Sequence, residues 1–232
     1  MCGRYTLATP SPADIRARFP VGERVDIRRR YNVAPGDDVL AVTTDREGQP
    51  RGELLHWGLV PSWADVPNPR LKMINARVET VIERPAFRQP FGRFRCLILA
   101  DGFYEWQAVP GAGKQAFHIT TAPTRPFAFA GLWSMWKGPA GDRVRSCAIL
   151  TTASNAKVAP LHDRMPVILA PADEAAWIDP ATPRERLLGL LRPLGPGQTD
   201  LRPVGPAVND ARFDGPECLA PPPPEPAVAT LF

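Results

Sequence analysis

The sequence contains no apolar run long enough to cross a membrane. Its longest purely apolar stretches, residues 96–100 and 167–171, are far shorter than the roughly 20 residues that a spanning helix needs. The amino terminus also lacks the apolar segment and the cleavage pattern of a secretory signal. We therefore expect a soluble cytoplasmic protein with no membrane partner.

Cysteine and histidine are scarce, and they are not spaced as metal ligands. No Cys-x-x-Cys pair occurs, and the available side chains are scattered along the chain: Cys2, Cys96, Cys147, Cys218, His56, His118 and His162. Closed zinc sites need such ligands at short, defined spacings. The sequence therefore predicts free thiols, no metal and no other cofactor.

The composition is that of a globular domain with an excess of proline. The 232 residues are 44% hydrophobic and 22% charged, close to the usual values of about 45–50% and about 25%. The 29 prolines amount to about 12% of the chain, against a usual value near 5%, and predict many short elements separated by turns. The net charge of +4 suits an anionic partner but does not by itself identify nucleic acid.

Local patterns predict short helices. A capping box at Ser11 begins a helix over residues 11–19, and a second box at Thr182 begins a helix with an apolar leucine face. A brief helix is predicted over residues 75–83, and another after Asn155.

Strands are predicted in the middle of the chain. Residues 39–44 and 53–60 flank a turn and predict a β-hairpin, and further strands are expected at 95–100, 103–107, 116–121, 127–133, 145–151 and 165–169. Central strands with helices at the flanks indicate the α+β class. A proline-rich run from Pro221 predicts a flexible tail over residues 221–232, after a single domain at residues 2–220.

Cys2 would carry two nucleophiles on adjacent carbons if Met1 were removed, which a small second residue permits. The usual pKa values of an α-amine and a thiol, about 7.7–8.0 and about 8.5, leave both groups partly deprotonated near neutral pH. Such a 1,2-aminothiol captures an aldehyde, because the amine forms a Schiff base and the thiol then closes a five-membered thiazolidine. The alternative is an incidental residue in a frayed terminus.

Further side chains suit acid–base or orienting roles. Glu105 lies among aromatic residues, where desolvation can raise a carboxyl pKa toward neutrality. His162 stands next to Asp163, and Asn75 with Arg77 offers an amide and a guanidinium that can orient an oxygen and a phosphate. The structural alternatives are an exposed strand glutamate, a hydrogen-bonding histidine, and a helix cap with a surface arginine.

Arginines are interleaved with aromatic residues, the mixture that single-stranded nucleic-acid sites use. These residues are Arg28, Arg29, Arg30, Arg70, Arg77, Arg84, Arg88, Arg93 and Arg95, with Tyr31, Trp57, Trp63, Phe87, Phe91 and Phe94. Core aromatics beside a solvated basic face would explain each residue equally well.

Seven ordered motifs resemble those of the SRAP family, the abasic-site processing proteins. They are Met1-Cys2-Gly3-Arg4, Arg30-Tyr31-Asn32-Val33-Ala34-Pro35-Gly36, Trp57-Gly58-Leu59-Val60-Pro61, Asn75-Ala76-Arg77-Val78-Glu79-Thr80, Asp101-Gly102-Phe103-Tyr104-Glu105-Trp106, Leu161-His162-Asp163-Arg164-Met165-Pro166 and Val208-Asn209. The resemblance runs from residue 2 to about residue 220 and excludes the proline-rich tail.

The resemblance implies one α+β domain with a central antiparallel-rich sheet or open barrel flanked by short helices. It also implies a covalent crosslink to abasic sites in single-stranded DNA, formed through the amino-terminal cysteine. The family pattern makes Cys2 the nucleophile, Asn75 the orienting amide, Glu105 the acid–base carboxylate and His162 the imidazole. On this interpretation His162 helps to open the sugar ring, and Glu105 moves protons during condensation.

The resemblance further implies that Arg4, Arg77, Pro35 and Trp63 bind DNA. Ala64 stands where many relatives carry another aromatic residue. The expected partner is single-stranded DNA with abasic sites, bound by a monomer that in a bacterium would be associated with the nucleoid.

Two other functions remain open from the sequence. One is a cysteine peptidase, including one that acts only on its own amino terminus, with Cys2 as nucleophile and His162 and Glu105 as base and orienting group. The other is a noncatalytic single-stranded DNA-binding protein, for which binding would be reversible and sensitive to salt.

Overall fold

The computed structural model describes residues 2–65, 73–111, 113–122 and 126–224. Most of the tail predicted to be flexible, residues 225–232, lies outside the described residues. Within the described ranges, no helix is long and apolar enough to span a membrane.

The described parts of the chain form twelve strands and four α-helices. The strands are β1 (Tyr5–Leu7), β2 (Arg30–Val33), β3 (Asp38–Thr44), β4 (Pro50–Trp57), β5 (Asn75–Arg77), β6 (Arg95–Ala100), β7 (Gly102–Val109), β8 (Gly113–Thr121), β9 (Phe127–Lys137), β10 (Arg143–Ala153), β11 (Arg164–Pro166) and β12 (Thr199–Val204). The helices are α1 (Pro12–Arg18), α2 (Pro85–Arg93), α3 (Pro171–Ile178) and α4 (Arg184–Leu190). The predicted α+β class is confirmed.

Five strands close into a barrel that holds the main core. They are hydrogen-bonded in the order β10-β4-β3-β6-β9, and β9 pairs with β10 as well. β3 and β4 form the predicted hairpin, with Asp38 opposite His56 and Thr44 opposite Pro50. Because side chains alternate along a strand, one set fills the barrel: Val39, Ala41, Leu55, Ile98, Phe129 and Ile149. The other set packs under the helices: Leu40, Val42, Leu97, Leu99 and Leu150, with Ile15, Phe91 and Trp177.

A second, antiparallel sheet has the order β12-β8-β7-β1-β2. Tyr5 of β1 packs against the barrel core, with its ring centroid 5.3 Å from that of Trp57 and 5.6 Å from that of Phe129. The opposite face of this sheet, which includes Tyr104, is covered by the chain that follows β12, through two 3₁₀ turns at Pro206–Asn209 and Pro216–Leu219. The start of β1 is therefore held between the barrel and the carboxyl-terminal segment.

Two short strands flank the end of β10. β5 runs parallel to β10 with Arg77 opposite Thr151, whereas β11 runs antiparallel to it with Met165 opposite Thr152. Residues 75–77 and the loop before β11 are thereby brought to the same end of the barrel.

The predicted strand at residues 165–169 is only partly formed. β11 ends at Pro166, and the chain then changes partners, because Ile168 forms an isolated bridge with Phe129 of β9. The predicted strands at 95–100, 103–107, 116–121, 127–133 and 145–151 are confirmed as β6 to β10.

Two predicted helices are wrong. Residues 75–83 begin as β5 and continue as turns, because pairing with β10 gives their backbone hydrogen bonds that outweigh the local helix pattern. The side-chain oxygen of Asn155 accepts hydrogen bonds from the N–H groups of Lys157 and Val158, as it would at the start of a helix. The chain nevertheless makes only turns there, and Pro160 supplies no N–H to extend them.

The two predicted capping boxes have different outcomes. At α1, Ser11 and Asp14 form both reciprocal hydrogen bonds of the box. At α4, the helix is confirmed, but the N-cap is Pro183 and no side chain caps it, so the box predicted at Thr182 is wrong. Helix α4 forms without this cap, because Leu187 packs into the core.

The interleaved arginines and aromatics are divided between core and surface. Phe91 is buried, and Arg95, only 2% exposed, donates to the carbonyl oxygens of Phe91, Trp177 and Asp179. These carbonyls lie at the carboxyl ends of α2 and α3, so the guanidinium caps two helices at once. The interpretation as core aromatics holds for Phe91, whereas Arg95 lies in the core and not on a solvated basic face. Trp63, in contrast, is 64% exposed.

Candidate active site

Cys2 precedes β1 where the second sheet meets the barrel. Its side chain is fully buried with the barrel core, and the thiol donates to the Arg4 carbonyl oxygen, 3.8 Å from Sγ. Burial raises the pKa of this thiol far above its usual value, and the Glu105 carboxylate raises it further. The thiol is therefore protonated at rest and needs a base when it attacks.

Asn75 holds the backbone of Cys2. Its Nδ2 donates to the Cys2 carbonyl oxygen over 2.8 Å, and β5 fixes the asparagine through its pairing with Ile149 of β10. The other amide atom, Oδ1, is buried and accepts no hydrogen bond from any described residue. Asn75 therefore sets the position of Cys2 and keeps one acceptor for a further N–H or O–H donor.

Glu105 faces the same junction from β7. β1 and β7 are paired at Tyr5 and Phe103, and the pairing extends outward because Tyr104 N–H donates to the Arg4 carbonyl over 3.0 Å. Glu105 is only 4% exposed, so the alternative of an exposed strand glutamate is wrong. Burial, together with the charge of Asp163, raises the pKa of Glu105 to about 7. A carboxyl group in this range can both accept and donate a proton near neutral pH.

The raised pKa makes protein stability depend on pH. Between the ordinary value of 4.5 and about 7, folded Glu105 holds a proton that the unfolded chain has released, so stability falls as pH rises through this window. Glu105→Gln removes the titration. We expect the difference in thermal midpoint between Glu105→Gln and the wild type to increase as the pH is raised from about 4 to about 7. Above about pH 8 this difference should stay constant. Calorimetry across this range tests the point, and a constant difference would contradict it.

His162 is held in one orientation by its neighbours. Its Nδ1 accepts the Arg164 backbone N–H over 2.9 Å and lies 2.8 Å from the Asp163 carboxylate. Both of these contacts are made by Nδ1, so neither of them occupies Nε2. Burial lowers the pKa of His162, which favours the neutral ring, and a neutral imidazole can both accept and donate a proton.

An ion pair between Arg164 and Glu79 supports both flanks of this site. Arg164 donates to the two carboxylate oxygens of Glu79 over 2.6 and 2.9 Å and also to the Thr151 carbonyl. Glu79 follows β5, and Arg164 opens β11 two residues after His162. The bidentate pair therefore fixes the Asn75 side of the site relative to the histidine side across the end of β10.

The two arginines predicted to bind DNA have different surroundings. Arg77 ends β5 two residues after Asn75, and its side chain is exposed. Arg4 is half-buried, and its Nη1 donates over 2.9 Å to both the Asn32 side chain and the Val208 carbonyl. Sequence analysis assigned no role to Asn32, because its partners in the carboxyl-terminal segment are remote in sequence.

Trp63 and Pro35 lie on surface loops. The loop that carries Trp63 is anchored where Trp136 Nε1 donates to the Ala64 carbonyl over 2.6 Å, and Pro35 is half-buried in a turn completed by Gly36 with a φ of +100°. Their DNA-binding role stays a prediction.

The Cys2 cluster is defined by the four side chains that the sequence predicts to be catalytic, Cys2, Asn75, Glu105 and His162, and the Cys2 thiol in it is buried. In the parts of the chain that the structure describes, no three His, Cys, Asp or Glu side chains are grouped so that they could hold a metal ion. The four side chains are a thiol, an amide, a carboxyl group and an imidazole, which are the types that nucleophilic and acid–base chemistry uses.

The chain is similar to known proteins of one family. Residues 1–211 match the family described as SOS response associated peptidase (SRAP). The abasic site processing protein YoaM of Bacillus subtilis (strain 168) is 42% identical over 199 residues, covering 83% of this chain and 86% of the relative. The abasic site processing protein HMCES of Rattus norvegicus is 31% identical and covers 72% of this chain and 56% of the relative.

The same fold occurs in a crystal structure of a protein from Bacteroides thetaiotaomicron. The two structures superpose with a TM-score of 0.86 at 22% identity, over 95% of this chain and 99% of that one. The family match covers far more than half of the residues, and relatives above 30% identity span most of the sequence. This chain therefore belongs to the SOS response-associated peptidase (SRAP) family.

Proposed function

We propose that this protein captures abasic sites in single-stranded DNA through a covalent thiazolidine link between Cys2, after removal of Met1, and C1′ of the ring-opened deoxyribose. The link shields the lesion from strand cleavage, because a trapped C1′ cannot undergo β-elimination. The names of the relatives support abasic-site processing. The observation that carries the chemistry is the position of Cys2, bonded through its carbonyl to Asn75 and adjacent to a carboxyl group with a pKa of about 7.

The reaction begins with ring opening. An abasic deoxyribose is mostly a closed hemiacetal, so the proton on its anomeric hydroxyl must leave and the ring oxygen must gain one before C1′ becomes an aldehyde. A neutral imidazole can perform both transfers. His162, whose Nδ1 is occupied by the Arg164 N–H, would act through Nε2.

Condensation follows at the aldehyde. The Cys2 amine adds to C1′, and loss of one water gives the imine; the thiol then adds across the C=N bond, so the S–C bond forms and the thiol proton passes to nitrogen. Glu105 would carry these protons, and its burial on β7 together with the effect of its charge on the Cys2 thiol supports this role. The unbonded Oδ1 of Asn75 can accept from the amine or from a sugar hydroxyl.

The state of the thiol argues against the peptidase alternative. Cysteine peptidases use a thiolate whose pKa is lowered by a neighbouring imidazolium. Here burial and a nearby carboxylate raise the thiol pKa. A thiol that attacks second, after the amine has engaged the aldehyde, does not need to be ionised beforehand.

In the decisive experiment, the purified protein is mixed with single-stranded DNA that carries one abasic site. Intact mass first verifies the amino terminus of the protein. We expect a denaturant-resistant adduct whose mass equals protein plus DNA minus one water. Intact single-stranded DNA and generic peptides serve as controls. Cleavage of the peptides without adduct would support the peptidase, and salt-reversible binding alone would support the noncatalytic DNA-binding protein.

Arg77 should hold a phosphate next to the lesion, because it is exposed two residues from Asn75. Arg77→Ala should weaken capture of abasic DNA about tenfold or more, since a hydrogen bond to a charged group contributes about 1.5–3 kcal/mol. Saturating DNA should restore most of the crosslinking rate. Arg143→Ala, which removes an equal charge at the opposite end of β10, is the matched control. Equal losses in both variants, or no recovery at saturation, would contradict this role.

A further inference from the structure

Asn32 lies at the centre of a buried polar network. Its side chain belongs to a residue that is only 1% exposed, and Oδ1 accepts from Arg4 Nη1 over 2.9 Å. Its Nδ2 donates to three carbonyl oxygens of the carboxyl-terminal segment, those of Val208, Asp210 and Phe213, at 3.3, 2.9 and 2.8 Å. The Asn32 amide thus links three parts of the protein: β2, the carboxyl-terminal segment that covers the second sheet, and Arg4.

Arg4 is fixed at both ends by this arrangement. Its carbonyl accepts the Tyr104 N–H, and its Nη1 uses its two hydrogens on Asn32 and on the Val208 carbonyl. The guanidinium carbon lies 6.0 Å from the centroid of the Trp106 ring. Nε and Nη2 donate to no described residue, and neither is among the fully buried unbonded atoms. One edge of the guanidinium is therefore fixed, and the other can meet an anion.

We propose that Asn32 is a positioning residue that acts through Arg4, holding the guanidinium so that its remaining donors face a phosphate of the DNA strand next to Cys2. The inference rests on the proposed function, which supplies the DNA. A free arginine side chain loses much rotamer freedom when it binds. Here much of that freedom is already lost on folding, because two hydrogen bonds hold Nη1 of Arg4.

A purely structural role for Asn32 must be separated from this one. Asp214 offers the matched control, since its carboxylate accepts the backbone N–H groups of Tyr31 and Asn32 and pairs with Arg30. It attaches the same carboxyl-terminal segment to the same strand and makes no contact with Arg4. Asp214→Ala therefore weakens the attachment and leaves the Arg4 side chain bonded.

The test measures binding, not chemistry. The probe is single-stranded DNA with a tetrahydrofuran in place of the abasic sugar, which has no aldehyde, titrated by fluorescence anisotropy at several salt concentrations. We expect Arg4→Ala and Asn32→Ala each to weaken binding about tenfold and to lower the slope of log K against log salt by about one phosphate contact. In an Arg4→Ala background, Asn32→Ala should add nothing. Asp214→Ala should lower the thermal midpoint and leave the salt slope unchanged.

Asn32→Ser, whose shorter side chain cannot reach all four partners, replaces Asn32→Ala if the alanine variant does not fold. The proposal is overturned if the Asn32 variant keeps the wild-type salt slope, or if it weakens binding equally with and without Arg4. A wild-type protein that shows the expected slopes but never crosslinks true abasic DNA would contradict the proposed function and leave this inference standing.

Discussion

Cys2→Ala should form no denaturant-resistant crosslink with abasic single-stranded DNA. The variant keeps an α-amine, so it can still form a Schiff base and cause some strand cleavage, but it has no thiol to close the ring. Cys2→Ser should behave in the same way, since its hydroxyl is a much weaker nucleophile. Both amine and thiol chemistry should disappear when Met1 is retained, because the amine is then displaced by one residue. Denaturing gels and intact mass measure the outcome.

The other cysteines provide the control for this experiment. Cys147 is fully buried inside the barrel, and Cys147→Ala removes a thiol without touching the amino terminus. It should crosslink at the wild-type yield once folding is verified. A durable adduct of Cys2→Ala at wild-type yield, or loss of the adduct in Cys147→Ala alone, would rule out the thiazolidine mechanism.

Glu105→Gln and His162→Ala should each slow crosslinking by about 10²–10⁴-fold, the usual contribution of a general acid or base, and for different reasons. His162→Ala supplies the aldehyde slowly, whereas Glu105→Gln impairs the proton transfers of condensation. A DNA substrate whose aldehyde cannot cyclise should therefore rescue His162→Ala but not Glu105→Gln. Single-turnover rates measure both effects.

Reversal of a preformed adduct gives an independent check. Release should be slower with Glu105→Gln, because expulsion of the thiol requires a proton at sulfur. Glu47→Gln, a substitution in the exposed turn between β3 and β4, should leave formation and release unchanged. Equal rescue of both site variants by the open aldehyde, or unimpaired release from Glu105→Gln, would show that the two residues act at other steps.

Candidate reactive residues can be named from the sequence more readily than the residues that hold them in place. Cys2, Glu105 and His162 stand out because few side chains offer their chemistry, and the family motifs contain all three. The role proposed for Asn32 depends on carbonyl groups about 180 residues away, so the motif that contains Asn32 does not by itself reveal that role. The burial of Glu105, and thus its raised pKa, depends likewise on the barrel end against which β7 packs.

The fold was predictable where local patterns and tertiary contacts agree. Ser11 caps α1, and the hairpin of β3 and β4 follows from its alternating pattern and its turn. Residues 75–83 were misassigned as a helix, because the preference for a strand there comes from the edge of β10, which is distant in sequence. The orienting role of Asn75 depends on that same strand.

The full burial of Cys2, together with the proposed reaction of its amine, limits how the protein can be made. Any residues left in front of Cys2 turn its amine into an amide, whose nitrogen has no basic lone pair for an aldehyde, and would have to fit beside a fully buried side chain. On the proposed mechanism, an affinity tag at the amino terminus removes this amine and should prevent crosslinking. The purification handle belongs after residue 232, beyond the proline-rich run and far along the chain from the reactive end.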